Sequence, residues 1–300
     1  SKAYFDWMPI RRPTRRGVRL HRLLDWGDLA RILLLDTRYI GRERQLDYRT
    51  ALAGQLAQGG AETAAAARAF RDTVLNDPNR TLLGPEQEIW FQRALADSKR
   101  RGQTWQLIAQ QVVMAEQRFP AGLSRLLAAD VHANTRRWIA GGEEMGALGL
   151  PWNLDSWGGY PAARARFLQA CATNANNAVV LGGDSHNCWV ADLAAANGSR
   201  LAALEFAGGS VSSPGFERSL TRAAPGERES VMRSANPQLA FCDLTNRGYA
   251  ALTFTRGACE AEWVAFSDVR VAQAGAPTIS RMNAESGARG GPSAWSVQNT

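Results

Sequence analysis

An α/β fold of mixed buried strands flanked by helices is predicted by three features of this sequence. Ile32-Leu33-Leu34-Leu35, Ala178-Val179-Val180-Leu181 and Leu201 to Ala207 are short apolar runs, the pattern of strands covered on both faces. Between them lie stretches of helical length that carry their own start and stop signals. Each run ends in polar or glycine-rich sequence, as strands do where a sheet offers its carboxyl edge to a ligand.

Taken in order, the chain opens with its densest positive charge, Arg11, Arg12, Arg15, Arg16, Arg19 and Arg22. Such an arm either contacts nucleic-acid phosphates or forms a solvated, acid-paired face. Alternation through Val18, Leu20 and Arg22 predicts a strand, with Leu23 to Gly27 turning the chain. Arg31 to Thr37 is a buried strand, and residues 41–60 read as a polar, lid-like surface excursion. Glu62 to Val74 is alanine-rich and helical. A second helix starts at Gly84-Pro85-Glu86-Gln87-Glu88, where proline and acids suit the first turn, and stops at Lys99-Arg100-Arg101-Gly102. Trp105 to Met114 is a strand interrupted by Gln110-Gln111, whose amides need hydrogen-bond partners or a ligand.

Residues 116–160 read as an excursion with helical pieces, among them Leu123 to Leu127, and a glycine-rich exit at Gly141-Gly142. Pro161 to Cys171 is a helix packed before the central strand. Gly248 to Thr255 and Glu260 to Phe266 alternate about Arg256 to Cys259 as a hairpin. Glycine, alanine, serine and proline dominate the end, so residues 271–300 are expected to be a mobile or surface-draped tail.

The 300 residues can bury a full core as one large domain or two smaller ones. A formal charge of +7 and a pI near 9.7 favour anionic partners without choosing between phosphate esters and nucleic acid. The four cysteines lack the spacing of a zinc knuckle, while disulfides stay open. No run of about 18 apolar residues predicts a membrane span, and Ser1 opens no signal peptide.

The chemistry concentrates after the Ala178 strand, where Gly182-Gly183 delivers Asp184 and His186. In extended backbone these two would point to the same side. A carboxylate and an imidazole can hold a metal that activates water, which makes both candidate ligands and catalytic residues. Alternatively, His186 is a hydrogen-bonded loop residue and Asp184 a turn cap. Arg38 could fork onto a phosphate or pair with Asp36 or Glu43, and Gln111 is a second candidate for substrate binding. His132 and His21 read as structural. The hydroxyls of Ser210 to Ser213 lack a nucleophile-elbow pattern, and Cys188 beside His186 lacks a thiol-activating arrangement.

Several motifs occur in a common order. Gly183-Asp184-Ser185-His186-Asn187-Cys188-Trp189 resembles the Gly-Asp-Val-His-Ser-Ser-Trp signature of the alkaline phosphatase D (PhoD-like) metallophosphatases. Tyr4 to Arg11 with Trp7-Met8-Pro9, Trp26-Gly27-Asp28-Leu29, Leu34 to Arg38, Leu83 to Glu88, Gln110 to Ala115, Trp157 to Pro161, Ser210 to Gly215 and Asn236 to Tyr249 resemble further family landmarks. The resemblance covers residues 4 to about 268, which places a family domain at residues 1–270. It implies part of a metallophosphoesterase-type αββα sandwich with mixed sheets, hydrolysis of phosphomonoesters and phosphodiesters, iron and calcium, and a periplasmic or secreted setting. There are departures. Gln110 replaces the family's Asn, Gly158 stands where an Asp is usual, and the ligands that relatives place upstream of the Trp-Met-Pro motif have no counterpart here. A missing N-terminal segment of the same protein is therefore the expected partner. A non-catalytic remnant and a basic nucleic-acid-binding protein are the alternatives.

Overall fold

Two hydrophobic layers meet on one central sheet in a computed structural model that describes residues 2–10, 19–52, 60–195, 198, 200–272, 275–287 and 291–299. In chain order the elements are α1 (Lys2–Trp7), β1 (Arg22–Trp26), β2 (Ala30–Leu34), α2 (Tyr48–Ala51), α3 (Gly60–Phe70), α4 (Gly84–Arg100) and β3 (Trp105–Ala109). They continue with α5 (Ala133–Ala147), α6 (Pro161–Asn174), β4 (Ala178–Gly182), β5 (Cys188–Ala194), β6 (Leu201–Ala207), α7 (Glu227–Ser234) and β7 (Leu239–Asp243). The last four strands are β8 (Gly248–Phe254), β9 (Ala258–Ala265), β10 (Thr278–Glu285) and β11 (Ser296–Asn299).

The central sheet has the order β1-β2-β3-β4-β6-β5-β7, and β2, β3, β4 and β6 run parallel. Adjacent residues of its strands face opposite ways. Leu33, Ile108 and Val180 pack with Phe91 and Leu95 of α4 and with Phe167 and Leu168 of α6. Leu107, Val179, Leu204 and Phe206 pack instead with Cys259, Ala261, Trp263, Met282 and Ala284 of the second sheet. That sheet is antiparallel, in the order β11-β10-β9-β8. The α/β expectation holds. The layering among the described residues is helices on sheet on sheet, and only the central sheet is mixed, so the expectation of mixed sheets holds for one of the two.

Three local expectations change. Leu23 to Trp26 is strand, not turn, because β1 pairs antiparallel with β2 and Arg31 closes onto Asp25. The Arg31 guanidinium pulls the Asp25 carboxyl down to about 2, while burial and a Gln103 bond make smaller contributions. Gly141-Gly142 lies inside α5, because a Cβ on Gly142 would strike the Phe119 ring and only glycine lets the helix sit that close. The predicted 271–300 tail contains β10 and β11, and Met282, Ala284 and Trp295 are buried in the second core. Ser280, Ala284 and Ser296 are strand residues of that sheet. The arginine arm falls mostly on residues 11–18, outside the described residues. Arg19 pairs with Glu86.

Among the described residues no helix is long and apolar enough to cross a membrane. The four cysteines are separate, buried thiols.

Candidate active site at the carboxyl edge of the sheet

Parallel pairing brings the carboxyl ends of β2, β3, β4 and β6 to one edge, so the segments after Leu34, Ala109, Gly182 and Ala207 are neighbours. The segment after β2 is fixed from within. Asp36 is buried, and its carboxylate accepts the backbone N–H groups of Arg38 at 3.0 Å, Tyr39 at 2.8 Å and Ile40 at 2.9 Å. Gln87 of α4 donates to the Asp36 carbonyl and accepts the Asp36 N–H. From the β3 end, Gln111 accepts both the N–H and the hydroxyl of Thr37 and donates to Leu35 O at 3.1 Å. Gln110 is occupied by Val112 and by the Trp157 indole. Behind these turns Glu205 accepts Met114 N and Ala115 N. Its complete burial lifts the carboxyl to about 7, against the pull of those two amides and of Arg164.

The segment after β4 is built differently. β5 lies beyond β6 in the sheet, so residues 183–187 must reverse direction and cross the end of one strand, a span of roughly 10 Å. Asp184 and His186 take positive φ, 60° and 62°, as the non-glycine residues with left-handed backbone among those described. Asp and His are among the types that tolerate this region best. This corrects the extended-strand expectation: a tight left-handed turn, not strand alternation, sets where the two side chains go. Both residues are exposed. Asn187 anchors the turn, donating to Ser185 O at 2.9 Å and accepting Phe216 N at 3.1 Å. Gly215 lets the two loops touch, since a Cβ there would collide with Asn187 Oδ1 and His186 O.

Arg38 connects the two segments. Its Nη2 donates to Asp184, and its Nη1 donates to both oxygens of Asp155 at 2.8 and 2.7 Å. Arg42 donates to the same Asp155 while lying over the Tyr160 ring at 5.2 Å. Partial burial disfavours the Arg38 charge, but Asp155 and Asp184 outweigh it and raise the guanidinium above its ordinary value. Neither Asp36 nor Glu43 is the side-chain partner that sequence suggested. Asp155 was missed by sequence reading. It lies three positions before the Gly158 that departs from the family pattern, and only folding brings its carboxylate to Arg38.

His186 Nδ1 lies 3.1 Å from Pro214 O. A carbonyl can only accept, so Nδ1 carries a hydrogen, and in the neutral ring the lone pair is then on Nε2, the tautomer in which a metal-binding histidine donates its other nitrogen to a carbonyl. The donor set at this turn, an exposed carboxylate and an imidazole with a fixed tautomer, fits a share in a cation site. No group of three His, Cys, Asp or Glu residues is placed to hold a metal among the described residues. A cavity of about 520 Å³ opens beside the edge, and its lining includes Asp36, Arg38 and Gln111 but neither Asp184 nor His186. The other candidates are structural. His132 caps α5 by accepting Asn134 N, and His21 packs on the Trp90 ring. Cys188 is buried, which pushes its thiol well above the ordinary range and removes a thiolate mechanism.

Residues 1–263 match the PhoD-like phosphatase family. Alkaline phosphatase D of Bacillus subtilis (strain 168) is 29% identical over 261 residues, covering 85% of this chain and 36% of that protein. A solved structure of PhoD superposes with a TM-score of 0.66 at 25% identity, over 100% of this chain and 48% of that one. The chain thus spans less than half the length of the relatives it resembles.

Proposed function

The chain belongs to the PhoD-like phosphatase family, and from that membership we propose that it carries part of the active site of a metal-dependent phosphoric ester hydrolase. Its substrates on this reading are phosphomonoesters and phosphodiesters, and its setting is periplasmic or secreted. The observation that carries the reading is the 183–187 turn, which holds Asp184 and His186 exposed at the carboxyl edge with His186 Nδ1 turned to Pro214 O. Asp184 and His186 are the ligands this chain contributes. A carboxylate suits calcium and an imidazole suits iron, the metals the resemblance implies. The chemistry a cation supplies when bound is polarisation of the phosphoryl group and activation of the attacking water as hydroxide.

The remaining steps belong to the chain's own residues. Arg38, braced by Asp155 through Nη1, offers a planar guanidinium to phosphate oxygens. Gln111 positions the Arg38 turn through Thr37 and keeps one N–H uncommitted for substrate. The net positive charge draws in anionic esters. One observation favours a second reading, a chain that binds cations weakly and turns nothing over: the absence of a three-donor cluster among the described residues.

Metal analysis and p-nitrophenyl phosphate turnover decide between them, on the chain alone and in the longest reading frame that contains it. The hydrolase reading expects Asp184→Asn and His186→Ala to lower turnover of the longer protein by a factor of about a thousand, with less metal retained. Unchanged turnover in both variants would remove these residues from the site.

A further inference from the structure

A second cleft, of about 570 Å³, lies between α2, α5 and the 152–154 segment. Its apolar wall is aromatic. Trp138 is 40% exposed although it stacks parallel to Phe216 at 6.1 Å and meets Trp152 edge-on at 5.6 Å. Trp152 is itself backed by Phe119, stacked at 5.0 Å. The wall is therefore a stiff platform with an indole left open to the cleft.

The polar side of the cleft is cationic. Arg49 and Arg137 line it, and the Arg49 guanidinium has no hydrogen-bond or ion-pair partner among the described residues. Arg137 donates to Asn134 Oδ1 at 2.6 Å. The acid of the lining, Asp47, is occupied as the cap of α2. The carboxamides of Asn134 and Asn153 complete the rim. The 152–155 segment also joins the cleft to the candidate active site. Asn153 Oδ1 accepts Asp155 N at 2.9 Å, and Asp155 is the carboxylate that braces Arg38.

An exposed indole, unpaired guanidinium and carboxamides together recognise a ligand that is planar, aromatic and anionic. We propose that this cleft binds the base of a nucleotide, stacked on Trp138, with Arg49 and Arg137 receiving the anionic part of the same molecule. As a substrate subsite it rests on the phosphate-ester reading above, but as a binding site it stands on its own geometry.

Gly141 supplies the test. It lines the cleft from within α5, and a Cβ placed on it meets nothing within 4 Å. Gly141→Leu therefore fills the cleft while improving helix propensity. The measurement is calorimetric titration of the full chain with AMP and, as the base-free control, ribose 5-phosphate. AMP should bind at least tenfold more tightly than ribose 5-phosphate, and Gly141→Leu and Trp138→Ala should each weaken AMP roughly tenfold without changing the control. Equal affinity for the two ligands, or AMP binding unchanged by Gly141→Leu, would overturn the proposal. Binding needs neither metal nor turnover. A protein that hydrolyses p-nitrophenyl phosphate yet shows no preference for AMP refutes the subsite alone, while AMP binding by a longest reading frame that hydrolyses no p-nitrophenyl phosphate refutes the hydrolase reading alone.

Discussion

The turn after β2 and the turn after β4 leave the same sheet edge side by side, yet they are built on opposite principles. In the first, a buried aspartate takes three backbone amides and two glutamines lock the flanking peptide groups. In the second, an aspartate and a histidine sit exposed on left-handed backbone. Asp36 and Asp184 are the same residue type, each two positions past a strand, but one stabilises the fold and the other is offered outward. A rigid frame beside a strained, exposed turn is the division expected where geometry must be held for a ligand, because strain persists only when its surroundings over-determine it.

The largest effect expected on the frame side comes from Glu205, which locks the segment after β3. Its carboxyl is raised from 4.5 to about 7, so the folded state binds the extra proton. Its stabilising contribution is complete below pH 4.5 and is lost as pH rises through about 7. Denaturant unfolding from pH 4.5 to 8 should show wild type losing about 3 kcal/mol relative to Glu205→Gln. Equal slopes would identify another titrating group. Next is Asp36→Ala, which orphans three backbone N–H groups and should cost about 2 kcal/mol. Asp36→Asn should cost less, and a loss within error for Asp36→Ala would erase the contrast between the turns. The smallest effect has the opposite sign. Asp184→Gly relieves left-handed strain and should stabilise the fold by about 0.5–1 kcal/mol while abolishing whatever the carboxylate binds. A destabilising result would mean that the Arg38 pairing outweighs the strain.

Much of the frame was legible in the chain because its signals are local. Proline and acids at Gly84 to Glu88 start α4, the continuous apolar runs are β2, β4 and β6, and the glycines after Leu181 mark where backbone leaves the sheet. The hairpin about Arg256-Gly257 was equally plain. Composition misled at the end of the chain, where a segment rich in small residues read as a tail but contains β10 and β11. Their burial depends on a partner sheet that the local sequence does not mention. The Gly141-Gly142 pair misled for a related reason, since the close approach of Phe119 comes from elsewhere in the chain.

By itself, the sequence determined which residue types stand at the sheet edge and in what order, because hydrophobic periodicity and turn chemistry act over a few residues. Family resemblance, carried by the same residues, named the chemistry to expect there. Only the tertiary structure decided that Asp155 braces Arg38, that Pro214 fixes the His186 tautomer, and that Trp138 and Arg49 face one cleft. These are pairings between side chains far apart in sequence. Their partners are chosen by the packing of sheet, helices and loops, and no short-range pattern encodes that choice.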